Sequence, residues 1–157
     1  KAVPSAEAVE IFDRFLGELT EAVPSAVIMM ISGNHDSAPR VDCFRKVLSR
    51  QKVHMIGQPP RTEDESIEKV TLEDKYGKVN FYLLPFVKPS MVKQVVGTDE
   101  NGNNLSYNET LHRLIERENI NQDERNVLVS HQFYLPVPRC GRDVSRQQPS
   151  GSLPADP

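Results

Sequence analysis

Ala26-Val27-Ile28-Met29-Met30-Ile31-Ser32-Gly33-Asn34-His35-Asp36 is the stretch on which the fold turns. Its first six residues form an unbroken apolar run of strand length with no polar alternation, which predicts a parallel strand covered on both faces. The run stops at Ser32-Gly33 and gives way to a polar loop. On its N-terminal side Val9, Phe12, Leu16, Leu19 and Val23 recur at helical spacing, with Ser5 placed to cap the helix and Pro24 to stop it. On its C-terminal side a second helix is expected from Ser37 to Arg50, with Phe44, Val47 and Leu48 facing inward. Helix, buried strand, polar loop, helix is α/β grammar.

The order continues outward. Val53-His54-Met55-Ile56 reads as a short strand ended by Gln58-Pro59-Pro60. Ile67 to Glu73 and Val79 to Leu84 flank Asp74-Lys75-Tyr76-Gly77-Lys78, so a β-hairpin is expected with Gly77 supplying positive φ. In its second arm Val79, Phe81 and Leu83 share one face, while Asn80, Tyr82 and Leu84 share the other. Ser106-Tyr107-Asn108-Glu109 is a capping box, and Leu111, Leu114 and Ile115 give the following helix an apolar stripe ending near Asn119. Asn126-Val127-Leu128-Val129-Ser130 is a further short buried strand that delivers His131 at its C-terminal end.

A length of 157 residues fits one domain. Apolar residues at 38% and charged residues at 26% are ordinary for a globular chain and exclude disorder of the whole. Nineteen basic against 22 acidic side chains leave a net charge of −3, so no overall field draws nucleic acid or membrane, and a phosphate ligand has to be held locally. No apolar run approaches the roughly 20 residues that span a bilayer, and the N-terminus lacks a secretory pattern. A soluble, cytoplasmic protein is expected. Cys43 and Cys140 have no metal or redox spacing and read as isolated thiols. Residues 136–157 hold five of the 12 prolines with almost no apolar periodicity, and a disordered or aberrant tail is expected there beyond a domain of residues 1–135.

The residues able to carry chemistry gather at strand ends. Gly33-Asn34-His35-Asp36 lies where open α/β sheets place their ligands, just past the C-terminal end of a buried strand. The Asn34 amide oxygen is a hard donor for a divalent cation; His35 can donate a proton, and Asp36 can orient its ring. The alternative is a polar turn in which Asp36 caps the next helix. His131 follows the later strand and opens onto the same edge, where a neutral imidazole suits manganese or zinc. His54 and His112 lack such company and read as structural. Lys88, Lys93, Arg113 and Arg117 are either phosphate contacts or a solvated face, and the Asn108-Glu109-Thr110 sequon falls at the start of a capped helix and is discounted.

Gly33-Asn34-His35-Asp36 after one buried strand and Val127-Leu128-Val129-Ser130-His131-Gln132-Phe133 after another resemble two signature motifs of the calcineurin-like metallophosphoesterases. Four stretches are similar, more narrowly, to the SbcD-type nuclease subunits. These are Ala2 to Val9, Gly33 to Arg40, Asn80-Phe81-Tyr82-Leu83-Leu84-Pro85-Phe86, and Asn126 to Phe133. The resemblance covers residues 1–135 and implies an α/β fold, a partial metallophosphoesterase β-sandwich flanked by helices. It also implies a site with two divalent cations, manganese in the family, at which DNA phosphodiesters are hydrolysed in double-strand-break processing. By that resemblance Asn34 and His131 are metal ligands, His35 stabilises the transition state or protonates the leaving oxygen, and Asp36 holds the His35 tautomer. The implied partners are DNA and an SbcC-type coiled-coil ATPase, with a homodimer of the complete subunit inside a hetero-oligomer and no membrane.

The family's D-x-H and G-D motifs belong upstream of the helix at Ser5, and its G-H-x-H motif belongs after Gln132; the sequence contains none of them in those places. The chain is therefore expected to be an internal or truncated piece that hydrolyses no DNA alone, with the edge of the strand at Ala26 to Ile31 left unpaired. Two other readings remain open: another phosphoesterase of the same fold, and a non-catalytic binding or scaffold module that has lost its metals.

Overall fold

The computed structural model describes residues 3–133. In chain order it contains α1 (Ala6–Ala22), β1 (Ile28–Ile31), α2 (Ala38–Val41), α3 (Arg45–Leu48), β2 (Val53–Ile56), β3 (Glu68–Asp74), β4 (Gly77–Leu84), α4 (Lys93–Val96), α5 (Tyr107–Glu116) and β5 (Arg125–Ser130). Helices and strands mix in the α/β order read from the sequence. The expected tail at 136–157, including Cys140, lies outside the described residues. Among the described residues no helix is long and apolar enough to cross a membrane.

Two small sheets form. β1 and β2 pair in parallel from Ile28↔Val53 to Ile31↔Ile56. β3 and β4 make the predicted hairpin, antiparallel from Glu68↔Leu83 to Asp74↔Gly77, and β5 joins β4 in parallel from Val79↔Arg125 to Leu84↔Ser130. The hairpin turn closes where the Tyr76 amide donates to Asp74 Oδ1 at 2.8 Å and Gly77 takes a φ of 103°, a conformation cheap only for glycine.

The alternation in β4 sorts its side chains into two cores. Leu83 and Phe81 join Val70, Leu72, Ile56, Met29 and Ile31 in a cluster that unites the two sheets. Tyr82 and Leu84, from the opposite face, pack with Val87, Val92, Val96, Leu105 and Leu114, which is the side covered by α4 and α5. β4 is thus the central strand, sandwiched on both faces. One polar side chain is buried with it: Asn80, 3% exposed, donates from Nδ2 to Glu124 Oε2 at 2.6 Å and Asn126 Oδ1 at 3.1 Å, and accepts from the Thr71 hydroxyl at 2.8 Å. A buried amide with three partners carries little desolvation cost.

Four expectations need correction. The helix expected over Ser37 to Arg50 is broken into α2, α3 and a 3-10 turn at Ser49–Gln51, and Phe44 between them sits at φ 62°. Phe44 is 72% exposed and Val47 59%, so neither faces inward. Two tertiary bonds flank the break: Asp42 Oδ1 accepts from the Gly57 amide at 3.0 Å, and Arg45 reaches Glu68 Oε2 at 2.6 Å. β1 is only half-buried, because among the described residues it pairs with β2 alone. β5 is likewise an edge rather than a buried strand, with Val127 and Leu128 exposed. The Ser106 cap forms, Oγ accepting from the Glu109 amide at 3.2 Å, but the Glu109 carboxylate turns to Arg113 at 2.7 Å instead of completing the box.

α1 begins as read, with Ser5 Oγ accepting from the Ala8 amide at 3.3 Å. Its apolar stripe is largely in solvent: Val9, Phe12 and Val23 are exposed, and Leu16 and Leu19 are half-buried.

Candidate functional site

Parallel pairing sends the C-terminal ends of β1, β2, β4 and β5 toward the same edge of the molecule. The backbone stitches those ends together. Ser32, at the end of β1, is buried; its amide donates to the Ile56 carbonyl at 3.0 Å and its hydroxyl to the Gly57 carbonyl at 2.7 Å. The Ser32 carbonyl in turn accepts from the Phe86 amide at 3.0 Å, which ties the exit of β1 to the exit of β4. Chain segments emerging here are positioned by three strands at once.

Onto this edge come Gly33-Asn34-His35-Asp36 from β1 and His131 from β5. The imidazole Nε2 of His131 lies 3.2 Å from Asn34 Oδ1, although the two residues are 97 positions apart. When Nε2 carries the ring proton it donates to the Asn34 oxygen; in the other neutral tautomer its lone pair faces the same edge and is open to a cation. A β-carbon added to Gly33 would stand 3.2 Å from both Cε1 and Nε2 of His131, so the ring lies directly against the glycine backbone. Phe86 meets the same ring edge-on, with centroids 6.4 Å apart and planes at 79°. Asn34, His35, Asp36 and His131 are all exposed.

Asp36 closes the loop on itself. Its Oδ2 accepts from the Gly33 amide at 2.7 Å, and its own amide donates to the Gly33 carbonyl at 3.3 Å. This turn aims Asn34 and His35 outward. The short helix α2 that follows is preceded by Ser37, whose side chain makes no capping bond, so Asp36 serves the turn rather than the helix.

The basic residues considered as phosphate contacts have structural partners. Arg113 donates to the Val96 carbonyl at 3.0 Å, Arg117 to the Glu65 and Glu63 carbonyls at 2.9 and 2.6 Å, and Lys93 to the Gly102 carbonyl at 3.1 Å. Lys88 is exposed just past β4. His112 lies on the outer face of α5, and His54 stands within β2 with a buried Nδ1 that finds no partner among the described residues.

Asn34 Oδ1 and His131 Nε2 are donors of the kind that a divalent cation takes. Two cis ligands on one small cation, each about 2.1 Å from it, stand about 3 Å apart, which is close to the observed separation of Nε2 and Oδ1. The pair fits one side of a cation. A complete centre needs more donors, and the described residues contain no group of three or more His, Cys, Asp or Glu placed to hold a metal.

Gln132 carries a role that the spacing of motif residues did not reveal. Its side chain points away from the edge: Nε2 donates to the Pro85 carbonyl at 2.8 Å, and Oε1 accepts from the Val87 amide at 3.4 Å and from the Tyr107 hydroxyl. Its signal in the sequence is a polar residue between His131 and Phe133, where strand alternation turns it toward the core.

No protein-family model matches the chain, and no curated protein matches it at significant similarity.

Proposed function

We propose that this chain carries part of the active edge of a metal-dependent phosphodiester hydrolase, a DNA nuclease of the SbcD-like, calcineurin-type metallophosphoesterase class. The observation that supports this most directly is the convergence of Asn34 and His131 at 3.2 Å on one exposed edge. Asn34 Oδ1 and His131 Nε2 would hold a divalent cation, manganese by resemblance, from one side. When bound, such a cation polarises a phosphate oxygen and lowers the pKa of a bound water. His35, exposed beside Asn34, would protonate a leaving oxygen or hydrogen-bond the charged phosphate. Asp36 keeps the loop that presents both.

The chain alone is expected to bind a cation weakly and to hydrolyse no DNA, since two donors do not make a reactive pair of metals. DNA and a coiled-coil ATPase of the SbcC type are the partners this reading implies. A second reading, a metal-poor binding or scaffold module, is favoured by the absence of a three-donor group among the described residues.

Paramagnetic broadening of side-chain NMR signals by substoichiometric manganese separates the two, because it registers weak binding. Broadening centred on His131 and Asn34, and lost in Asn34→Ala, supports the hydrolase reading. Broadening that ignores these residues, with a melting temperature unmoved by manganese, supports the scaffold. Manganese-dependent DNA cleavage by the isolated chain above a His35→Ala control would overturn its expected inactivity.

A further inference from the structure

We infer that Gln132 is a positioning residue: by locking the exit of β5 to the exit of β4 and to α5, it fixes the imidazole of His131 over Gly33 and beside Asn34. The inference rests on the reading of His131 as a cation ligand for its functional meaning, but its geometric content stands separately.

His131 has no strand to hold it. β5 ends at Ser130, and the residues after it leave the sheet at an edge where β5 has one neighbour among the described residues. An exposed imidazole on such a segment would sample several rotamers, each at a different distance from Asn34. Gln132 removes that freedom. One amide side chain engages Pro85, Val87 and Tyr107, using a donor and an acceptor on groups from two other elements. Val87 is fully buried, and Tyr107 opens α5, so the anchor points themselves are rigid.

The flanking aromatic contacts act in the same direction. Phe86 lies against both His131 and Phe133: its ring is edge-on to His131 and 5.8 Å from Phe133 at 86°. Tyr107, which holds Gln132 through its hydroxyl, also packs its ring 5.7 Å from Phe133. Residues 131, 132 and 133 are therefore clamped between two aromatic rings and one amide. Removing neighbours that orient a metal ligand typically costs about 10–100-fold in metal affinity.

The test uses the full chain and two variants. Gln132→Met keeps the volume and removes all three hydrogen bonds, whereas Gln132→Glu keeps the acceptor and loses the donor to Pro85. The first readout is metal-free: the nuclear Overhauser effect between His131 Hε1 and the Gly33 α-protons, strong in the wild type. It should fall by more than half in Gln132→Met and less in Gln132→Glu. An effect of wild-type strength in Gln132→Met overturns the inference. If that variant does not fold, an unchanged effect in Gln132→Glu overturns it equally. The second readout is the manganese concentration that broadens His131, which should rise about tenfold in Gln132→Met. Wild-type His131 indifferent to manganese overturns the cation-ligand reading alone, and the Overhauser effect still decides the placement.

Discussion

Gly33 and His131 touch without a side chain between them: ring atoms of the imidazole lie 3.2 Å from the position that a β-carbon on Gly33 would take, close enough that the ring would have to give way. The contact favours glycine by proximity and not by backbone strain. Gly33→Ala should displace the ring from Asn34 and weaken the manganese response at both residues, while global stability changes by less than about 1 kcal/mol because the exposed ring can move. Chemical denaturation and manganese titration, run side by side, check the pair of effects. Loss of stability with the manganese response intact would contradict this account.

Gly57 presents the opposite case. An added β-carbon would lie 1.9 Å from the Ala38 carbonyl oxygen and 2.7 Å from the Asp42 nitrogen, both backbone atoms that cannot step aside. Gly57→Ala should cost about 1–3 kcal/mol or more by forcing α2 off β2. Gly17 in α1 meets nothing within 4 Å, and Gly17→Ala should instead stabilise by about 0.5–1 kcal/mol. Urea midpoints for the two variants moving in the same direction would refute the comparison.

Asn80 is held by Glu124, Asn126 and Thr71 inside the central strand. Asn80→Ala leaves those polar groups without their shared partner and should destabilise by about 1–3 kcal/mol. Asn80→Asp sets a second carboxylate against Glu124, so its defect should shrink as the pH is lowered toward the carboxylate range. A defect independent of pH would show that charge repulsion is not the cause.

Arg125 grips Asp74 through two bonds of 2.6 and 3.0 Å and also donates to the Gly77 carbonyl at 2.6 Å. The Arg125 hydrogen bond, followed by that from the Tyr76 amide, holds the Asp74 carboxyl below its ordinary range. A group lowered in the folded state lends stability above the unfolded carboxylate range and withdraws it as the pH falls through the folded value. Melting temperatures of wild type and Asp74→Asn should therefore differ at neutral pH and converge in acid. The difference should be small and should diminish with salt, since the pair is exposed. A gap that widens on acidification would reverse the sign.

Local pattern made much of the chain legible. The hairpin around Gly77, the two faces of β4, the Ser5 and Ser106 caps and the delivery of Asn34 and His131 to one edge all follow from periodicity and turn chemistry within a few residues. What escaped is non-local. Nothing near Phe44 announces that Asp42 will bond Gly57 and Arg45 will bond Glu68, the two tertiary bonds that flank the break in the helix. The burial of β1 and β5 was over-read for a related reason: an apolar run records what a strand can tolerate, and its neighbours decide how much of it is covered. The role of Gln132 depends on Pro85, Val87 and Tyr107, which are distant in sequence.

The mixed pairing of the second sheet also sets an order of events in time. β3 and β4 are joined by a turn centred on Lys75 and Tyr76, so their register can be found in microseconds by closing a loop of a few residues. Ile28 must find Val53, and Val79 must find Arg125, across intervening helices, and such parallel encounters are slow. The hairpin is then the template on which β5 arrives late, while β1 and β2 pair in their own sheet. A mutation at Gly77 should slow refolding, whereas one at Val127 should mainly hasten unfolding. The edge that gathers Asn34 and His131 is consequently among the last parts of the molecule to assemble.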